Sequence, residues 1–133
     1  MNDIIKLIGL TQDLKLLYVE DNMDARESTS IMLEDFFDDI EVALDGAEGL
    51  EKFKNAHFDI VITDINMPNM TGIQMIEKIR EIDTQVPLVL LSAYASKQYE
   101  KEIKQFNIKG FLLKPLMLDK FVKQISLAID VEL

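Results

Sequence analysis

Four separated points of the chain carry side chains that suit one another chemically: the adjacent acids Glu20 and Asp21, the acid Asp64, the hydroxyl of Ser92 and the amine of Lys114. Each stands just past a short apolar run: Leu14 to Val19, Ile60 to Ile62 (with Thr63 between), Pro87 to Leu91 and Gly110 to Leu113. Carboxylates gathered in one place raise one another's pKa, and a bound cation is the usual relief. Mg²⁺ is held by one or two carboxylates with waters and a phosphate oxygen, whereas Ca²⁺ takes a fuller cage of protein oxygens, so Mg²⁺ is the expected ion. A hydroxyl and a lysine beside such an ion describe a site for a phosphoryl group. The metal and Lys114 would neutralise charge, Ser92 would donate to an oxygen, and one carboxylate would attack. Asp64 is the best-placed nucleophile, because Glu20 and Asp21 are adjacent and suited to the metal. Taken singly, each residue has a plainer reading. Asp64 ends a strand before a turn, Glu20-Asp21 is an acidic loop ahead of a helix, Ser92 is a turn hydroxyl, and Lys114 is a surface amine. Their shared position at the ends of apolar runs is what carries the joint reading.

Those runs have to be strands for the argument to hold. Ile60-Val61-Ile62 is β-branched and apolar on both faces, the mark of a strand buried in a parallel sheet. Leu14 to Val19, Pro87 to Leu91 and Gly110 to Leu113 read likewise, with proline tolerated at a first strand position. Ile40 to Leu44 alternates apolar and other residues, as an edge strand does. Helices are expected between them. Asn22 caps one running to about Phe37, with Ala25, Thr29, Met32, Leu33 and Phe36 as its inner stripe. Ala47 to Asn55 is short, with Leu50 and Phe53 inward. Thr71 caps a helix ending near Asp83, and Lys97 to Phe106 is a polar helix held only by Tyr99, Ile103 and Phe106. Leu118 to about Asp130 carries the clearest apolar stripe. Residues 1–13 show partial helical spacing and form an N-terminal extension or linker, 14–130 the domain, and 131–133 the C-terminal end.

Strands alternating with helices predict an α/β fold with a doubly wound five-stranded parallel sheet, helices on both faces, and flavodoxin-like order 2-1-3-4-5. The strand order then reverses between strands 1 and 3, and ligands bind at such a switch point, outside the carboxyl ends of the strands. Strand 1 ends in Glu20-Asp21 and strand 3 in Asp64, so the order brings three acids into one crevice.

Composition removes several other functions. A chain of 133 residues with 48% hydrophobic content fits one domain with its own core. Fourteen basic residues against twenty-four acidic ones, a net charge of -10, and no Lys/Arg cluster argue against direct binding of nucleic acid. No apolar run approaches the ~18 residues of a membrane span. No secretory signal is expected near the single early cation Lys6, and a cytoplasmic location is expected. With no cysteine, thiol chemistry and disulfides are excluded. His57, the sole histidine, has no second His or Cys with which to share a metal and reads as a loop residue. The seven methionines are dispersed as gap-fillers.

The paired acids Glu20-Asp21 with Asn22, the segment Asp64-Ile-Asn-Met-Pro-Asn-Met-Thr-Gly72, Ser92-Ala93 and Gly110-Phe-Leu-Leu-Lys-Pro115 together resemble the receiver domains of two-component response regulators, the family that includes the stand-alone chemotaxis regulator. The likeness covers Leu14 to Asp130. It implies that Asp64 accepts a phosphoryl group from a phosphohistidine on a sensor histidine kinase or a histidine phosphotransfer protein. It implies Mg²⁺ held by Glu20, Asp21, Asp64 and the backbone carbonyl of Asn66, and phosphoryl oxygens bound by Ser92 and Lys114, with Ala93 small enough to leave the site open. It implies a cis bond between Lys114 and Pro115. Finally, it implies a switch in which Ser92 moves toward the phosphate and Phe111 turns inward, reshaping the surface of the helix after strand 4, strand 5 and the last helix. Phe111 lacks the hydroxyl of the commoner tyrosine, a departure that bears on how tightly its rotamer follows phosphorylation.

Two rival functions remain at this level. A phosphohydrolase of the aspartyl-phosphate type also uses an Asp at a strand end, but usually carries a second acid two residues on, where this chain has Asn66, and no cap domain is present to enclose a substrate. A receiver acting only as an interaction surface, without phosphorylation, is the other. A flavin-binding protein would need a Ser/Thr/Gly-rich phosphate loop after strand 1, and none follows. The output is a downstream protein or a fused domain, so the chain is a single-domain regulator or one part of a longer protein. The reading is of a signalling switch and not an enzyme acting on other substrates.

Overall fold

The computed structural model describes residues 2–133. Five strands, β1 (Lys15–Val19), β2 (Asp39–Ala43), β3 (Ile60–Asp64), β4 (Leu88–Ser92) and β5 (Gly110–Leu113), form one parallel sheet in the order β2-β1-β3-β4-β5. The expected order therefore holds, and its reversal lies between β1 and β3. Six helices accompany the strands: α1 (Asn2–Thr11), α2 (Met23–Phe36), α3 (Gly46–Asn55), α4 (Gly72–Ile82), α5 (Glu100–Gln105) and α6 (Leu118–Ala128).

The pleat sends successive side chains to opposite faces and so divides the core in two. Leu17, Val19, Val61, Leu88 and Leu90 pack with Phe53, Met75, Ile76 and Ile79 under α3 and α4. Leu16, Tyr18, Ile60, Ile62, Val89 and Leu91 pack with Leu33, Phe36, Phe121 and Ile125 under α2 and α6. β3 and β4, in the middle of the sheet, are buried along their whole length, whereas β2 at the edge is only half-buried, as its alternation predicts.

Helix starts follow local chemistry. The Asn22 side chain accepts from Ala25 N–H at 2.9 Å and that of Asp45 from Glu48 N–H at 2.8 Å. Thr71 and Gln74 form a reciprocal capping box at 3.1 and 3.0 Å.

Three features add to or depart from the expected elements. Residues 2–11 form a helix packed on the domain: Leu7 is completely buried, the Thr11 hydroxyl donates to the carbonyls of Leu7 and Phe36, and Lys6 Nζ donates to the Leu133 carbonyl at 3.2 Å. β2 runs from Asp39 to Ala43, one residue earlier than its alternation suggests, and leaves Leu44 exposed ahead of the Asp45 cap. The polar segment after β4 is broken into a 3₁₀ turn (Ser96–Tyr99) and the short α5, because Tyr99 leaves helical geometry at φ -118° and ψ 17°. With neither piece holding a fully buried residue, packing does not hold the two in one helix.

Candidate functional site

β1, β3, β4 and β5 deliver their last residues to one edge of the sheet. There a cavity of 520 Å³ is lined by Glu20, Asp21, Asp64, Asn66, Ser92, Ala93 and Lys114, among others. Glu20, Asp21 and Asp64 each place a carboxylate oxygen within 4.8 Å of the others. Glu20 is fully enclosed, Asp64 and Ser92 nearly so, and Asp21 is exposed at the rim.

One cation serves two of the three acids. Lys114 Nζ lies 2.8 Å from Glu20 Oε1 and 3.1 Å from Asp64 Oδ1. Burial raises the pKa of Glu20; the hydrogen bond from Lys114 opposes this and the charge of Asp64 adds to it. Burial alone would depress Lys114, but its hydrogen bond to Glu20 and the charge of Asp64 outweigh that, so its pKa is raised and it stays an ammonium. Among the described residues Asp21 has no ion-pair partner. Three carboxylates with one ammonium leave the cavity negative, and this donor set fits a divalent cation held by Asp21, Glu20 and Asp64.

Backbone contacts hold these ends in place. Lys114 N–H donates to the Ser92 carbonyl at 2.8 Å and Glu20 N–H to the Ala43 carbonyl at 3.0 Å. The Lys114–Pro115 peptide bond is cis. Gly72 marks the closest approach behind the acceptor. A β carbon there would overlap the Asp64 carbonyl, and the Gly72 N–H instead donates to the Ile65 carbonyl at 2.8 Å. Only glycine lets α4 begin so close to the end of β3.

Phe111 lies outside this cavity. It is half-buried, its ring centroid is 6.2 Å from that of Tyr99, and it borders a separate groove of 490 Å³ with Ala95, Leu113, Pro115, Met117 and Lys120. Three residues of the site went unread in the sequence. Tyr94 borders the cavity and its N–H donates to Ser92 Oγ at 2.9 Å. Its place two residues past Ser92 was the available signal. Arg26, which the helical pattern leaves outside the buried stripe, donates to the carbonyls of Glu20 at 3.1 Å and Asp21 at 3.4 Å and so orients the acidic turn. Tyr18 is enclosed in the core with Thr29 beside its hydroxyl but no hydrogen bond of ordinary geometry among the described residues, and burial pushes its ionisation upward. Nothing in the local sequence marks that buried hydroxyl.

Residues 16–126 match the family model described as the response regulator receiver domain. The chain belongs to that family. It is 31% identical over 115 residues to the chemotaxis protein CheY of Treponema pallidum (strain Nichols), an alignment covering 84% of this chain and 80% of that protein. It is 32% identical over 119 residues to the sensor protein EvgS of Escherichia coli (strain K12), where the match covers 90% of this chain but 10% of EvgS. The receiver domain thus spans most of one relative and a tenth of the other. Among solved structures, the CheX-CheY-BeF3-Mg+2 complex from Borrelia burgdorferi superposes with a TM-score of 0.78 at 31% identity, covering 91% of this chain and 92% of that one. No helix among the described residues is long and apolar enough to cross a membrane.

Proposed function

We propose that this receiver domain is a phosphorylation switch in which Asp64 takes a phosphoryl group from a phosphohistidine of a sensor histidine kinase or a histidine phosphotransfer protein. The observation that carries the reading is the Lys114 ammonium, shared at 2.8 and 3.1 Å between Glu20 and Asp64 in a cavity that also holds Ser92. A carboxylate oxygen of Asp64 attacks phosphorus, the phosphorus–nitrogen bond to the donor imidazole breaks, and an acyl phosphate is left on Asp64. Lys114 and Ser92 hold the phosphoryl oxygens. Glu20, Asp21, Asp64 and the carbonyl of Asn66 hold Mg²⁺, which when bound supplies positive charge against the negative charge of the transferring group. Ala93 leaves the cavity mouth open to the donor. The presence of BeF3 and Mg+2 in the CheX-CheY complex from Borrelia burgdorferi supports the choice of ion.

The acyl phosphate carries about -1.5 to -2 charge near neutral pH. It draws Ser92 and Lys114 toward itself and takes Lys114 from its present partner Glu20. The signal is read on the groove beside Phe111, between the turn at Ala95 and Ser96, β5 and α6, by a downstream protein or a fused output domain in the cytoplasm. For that readout the phosphorylated state must favour one arrangement of the groove, since equal stabilisation of both shifts no population. A hydrolase reading is disfavoured by Asn66, which puts an amide where a second acid would be needed.

The test is incubation with acetyl phosphate and Mg²⁺ followed by intact mass measurement. One added phosphate, absent in Asp64→Asn, is the expected result. An unchanged mass under conditions in which another receiver reacts would overturn the proposal, and turnover of a soluble phosphoester would favour the hydrolase.

A further inference from the structure

α2 presents a second face that the acid cavity does not use. Ile31 is 69% exposed, the most exposed large apolar side chain among the described residues, and Met23, two turns earlier, is 60% exposed. Residues three and four apart share a helix face, and the neighbours of Ile31 at those spacings are Glu27, Ser28, Glu34 and Asp35. An exposed apolar knob therefore stands beside three carboxylates. Among the described residues, none of the three acids is in an ion pair. Glu34 and Asp35 also fall in the last turn of α2, which has no basic residue, so their charge opposes the negative end of the helix dipole. Both arrangements cost the isolated chain stability.

Ile31, Glu27 and Glu34 border a groove of 470 Å³ between α2 and the edge strand β2, with Val42 on the far side. Arg26 also borders it, but its guanidinium is directed to the carbonyls of Glu20 and Asp21. We propose that this face docks a basic amphipathic helix of a partner protein. One apolar side chain of that helix sits on Ile31 in the groove, and its lysines or arginines reach Glu27, Glu34 and Asp35. Met23 to Ile31 spans about 12 Å of helix, so a partner helix of about three turns covers the face. A second copy of this chain is the wrong occupant, because it would set the same carboxylates against one another. The sheet order puts β2 and β5 at opposite edges, so docking here leaves the groove beside Phe111 free. The inference does not depend on phosphorylation of Asp64.

The test titrates a helical peptide of leucine and lysine, about 14 residues or four turns long, into the ¹⁵N-labelled chain. Amide shift changes should centre on α2 and β2 and saturate. Ile31→Asp, and separately the double change Glu34→Lys with Asp35→Lys, should each weaken binding by at least about tenfold, as loss of an interface anchor does. A peptide with glutamate in place of lysine should leave the spectrum unchanged. All three altered side chains are exposed, and a dispersed spectrum verifies that each variant is folded. Shifts centred on the acid cavity or on the groove beside Phe111, undiminished affinity in Ile31→Asp, absence of saturable binding, or self-association through α2 would each overturn the proposal.

Discussion

The Lys114 ammonium lies 2.8 Å from Glu20 Oε1, joining the ends of the last and first strands across 94 residues of sequence. Glu20 is completely buried, so this contact is what allows it to be ionised inside the protein. In Lys114→Met the carboxylate is left without its cation. Destabilisation of about 3 kcal/mol is expected, the low end for a broken buried pair because a quarter of the lysine side chain already meets water. The pH dependence has a definite sign. Glu20 has a folded-state pKa above its ordinary 4.5, and loss of Lys114 raises it further. The folded state then binds more protons than the unfolded state above pH 4.5, so the variant loses stability as pH rises through the gap between the two pKa values. Urea unfolding of both proteins at a series of pH values reads this directly, and a pH-independent difference would contradict it.

Metal addition should stabilise the chain through the same acids. At a free Mg²⁺ concentration ten times its Kd, stabilisation of about 1.4 kcal/mol is expected from binding to the folded state alone. Asp21→Asn should weaken the effect while raising stability in the absence of metal, because the one crowded acid without a cation among the described residues is neutralised and the Glu20–Lys114 pair is kept. Thermal melts with and without Mg²⁺ measure both.

α1 is anchored by Leu7, which is fully buried in the core beneath α2 and α6. Leu7→Ala should cost about 2–5 kcal/mol, the range for a large apolar side chain removed from a packed core. Denaturant titration checks this. A loss under ~0.5 kcal/mol, the usual scale for a surface substitution, would mean that the helix does not pack in solution.

A second acid titrates with the opposite sign. Asp59 Oδ2 accepts from the Lys15 N–H at 2.7 Å, the main reason its pKa lies below the ordinary 3.8, with His57 contributing further. Stability from a depressed carboxylate is present above the unfolded pKa and is lost as pH falls through the folded one. Asp59→Asn should therefore remove part of the acid-induced loss of stability below pH 3.8. Comparing stability with wild type between pH 5 and pH 2, a window of about one to two units on either side of the ordinary Asp value, tests it.

How much was legible in the residues depended on whether the deciding interaction was local. The strand at Ile60–Ile62 follows from β-branched apolar residues, and the helix starts from Asn22 and Thr71, each of whose side chains bonds a backbone N–H three residues on. Strand alternation and the site of order reversal then sufficed to expect Glu20, Asp21, Asp64, Ser92 and Lys114 at one edge. What the residues could not decide were outcomes of long-range packing. The helix at 2–11 depends on a socket that Phe36, Phe121 and Ile125 make only after folding. The break at Tyr99 depends on how little core α5 finds. Sequence alone determined which groups stand at the strand ends, because side-chain period and capping are properties of neighbours in the chain. Only the tertiary structure decided that one lysine serves both Glu20 and Asp64 while Asp21 has no cation partner among the described residues, because burial and pairing are set by residues far apart in sequence.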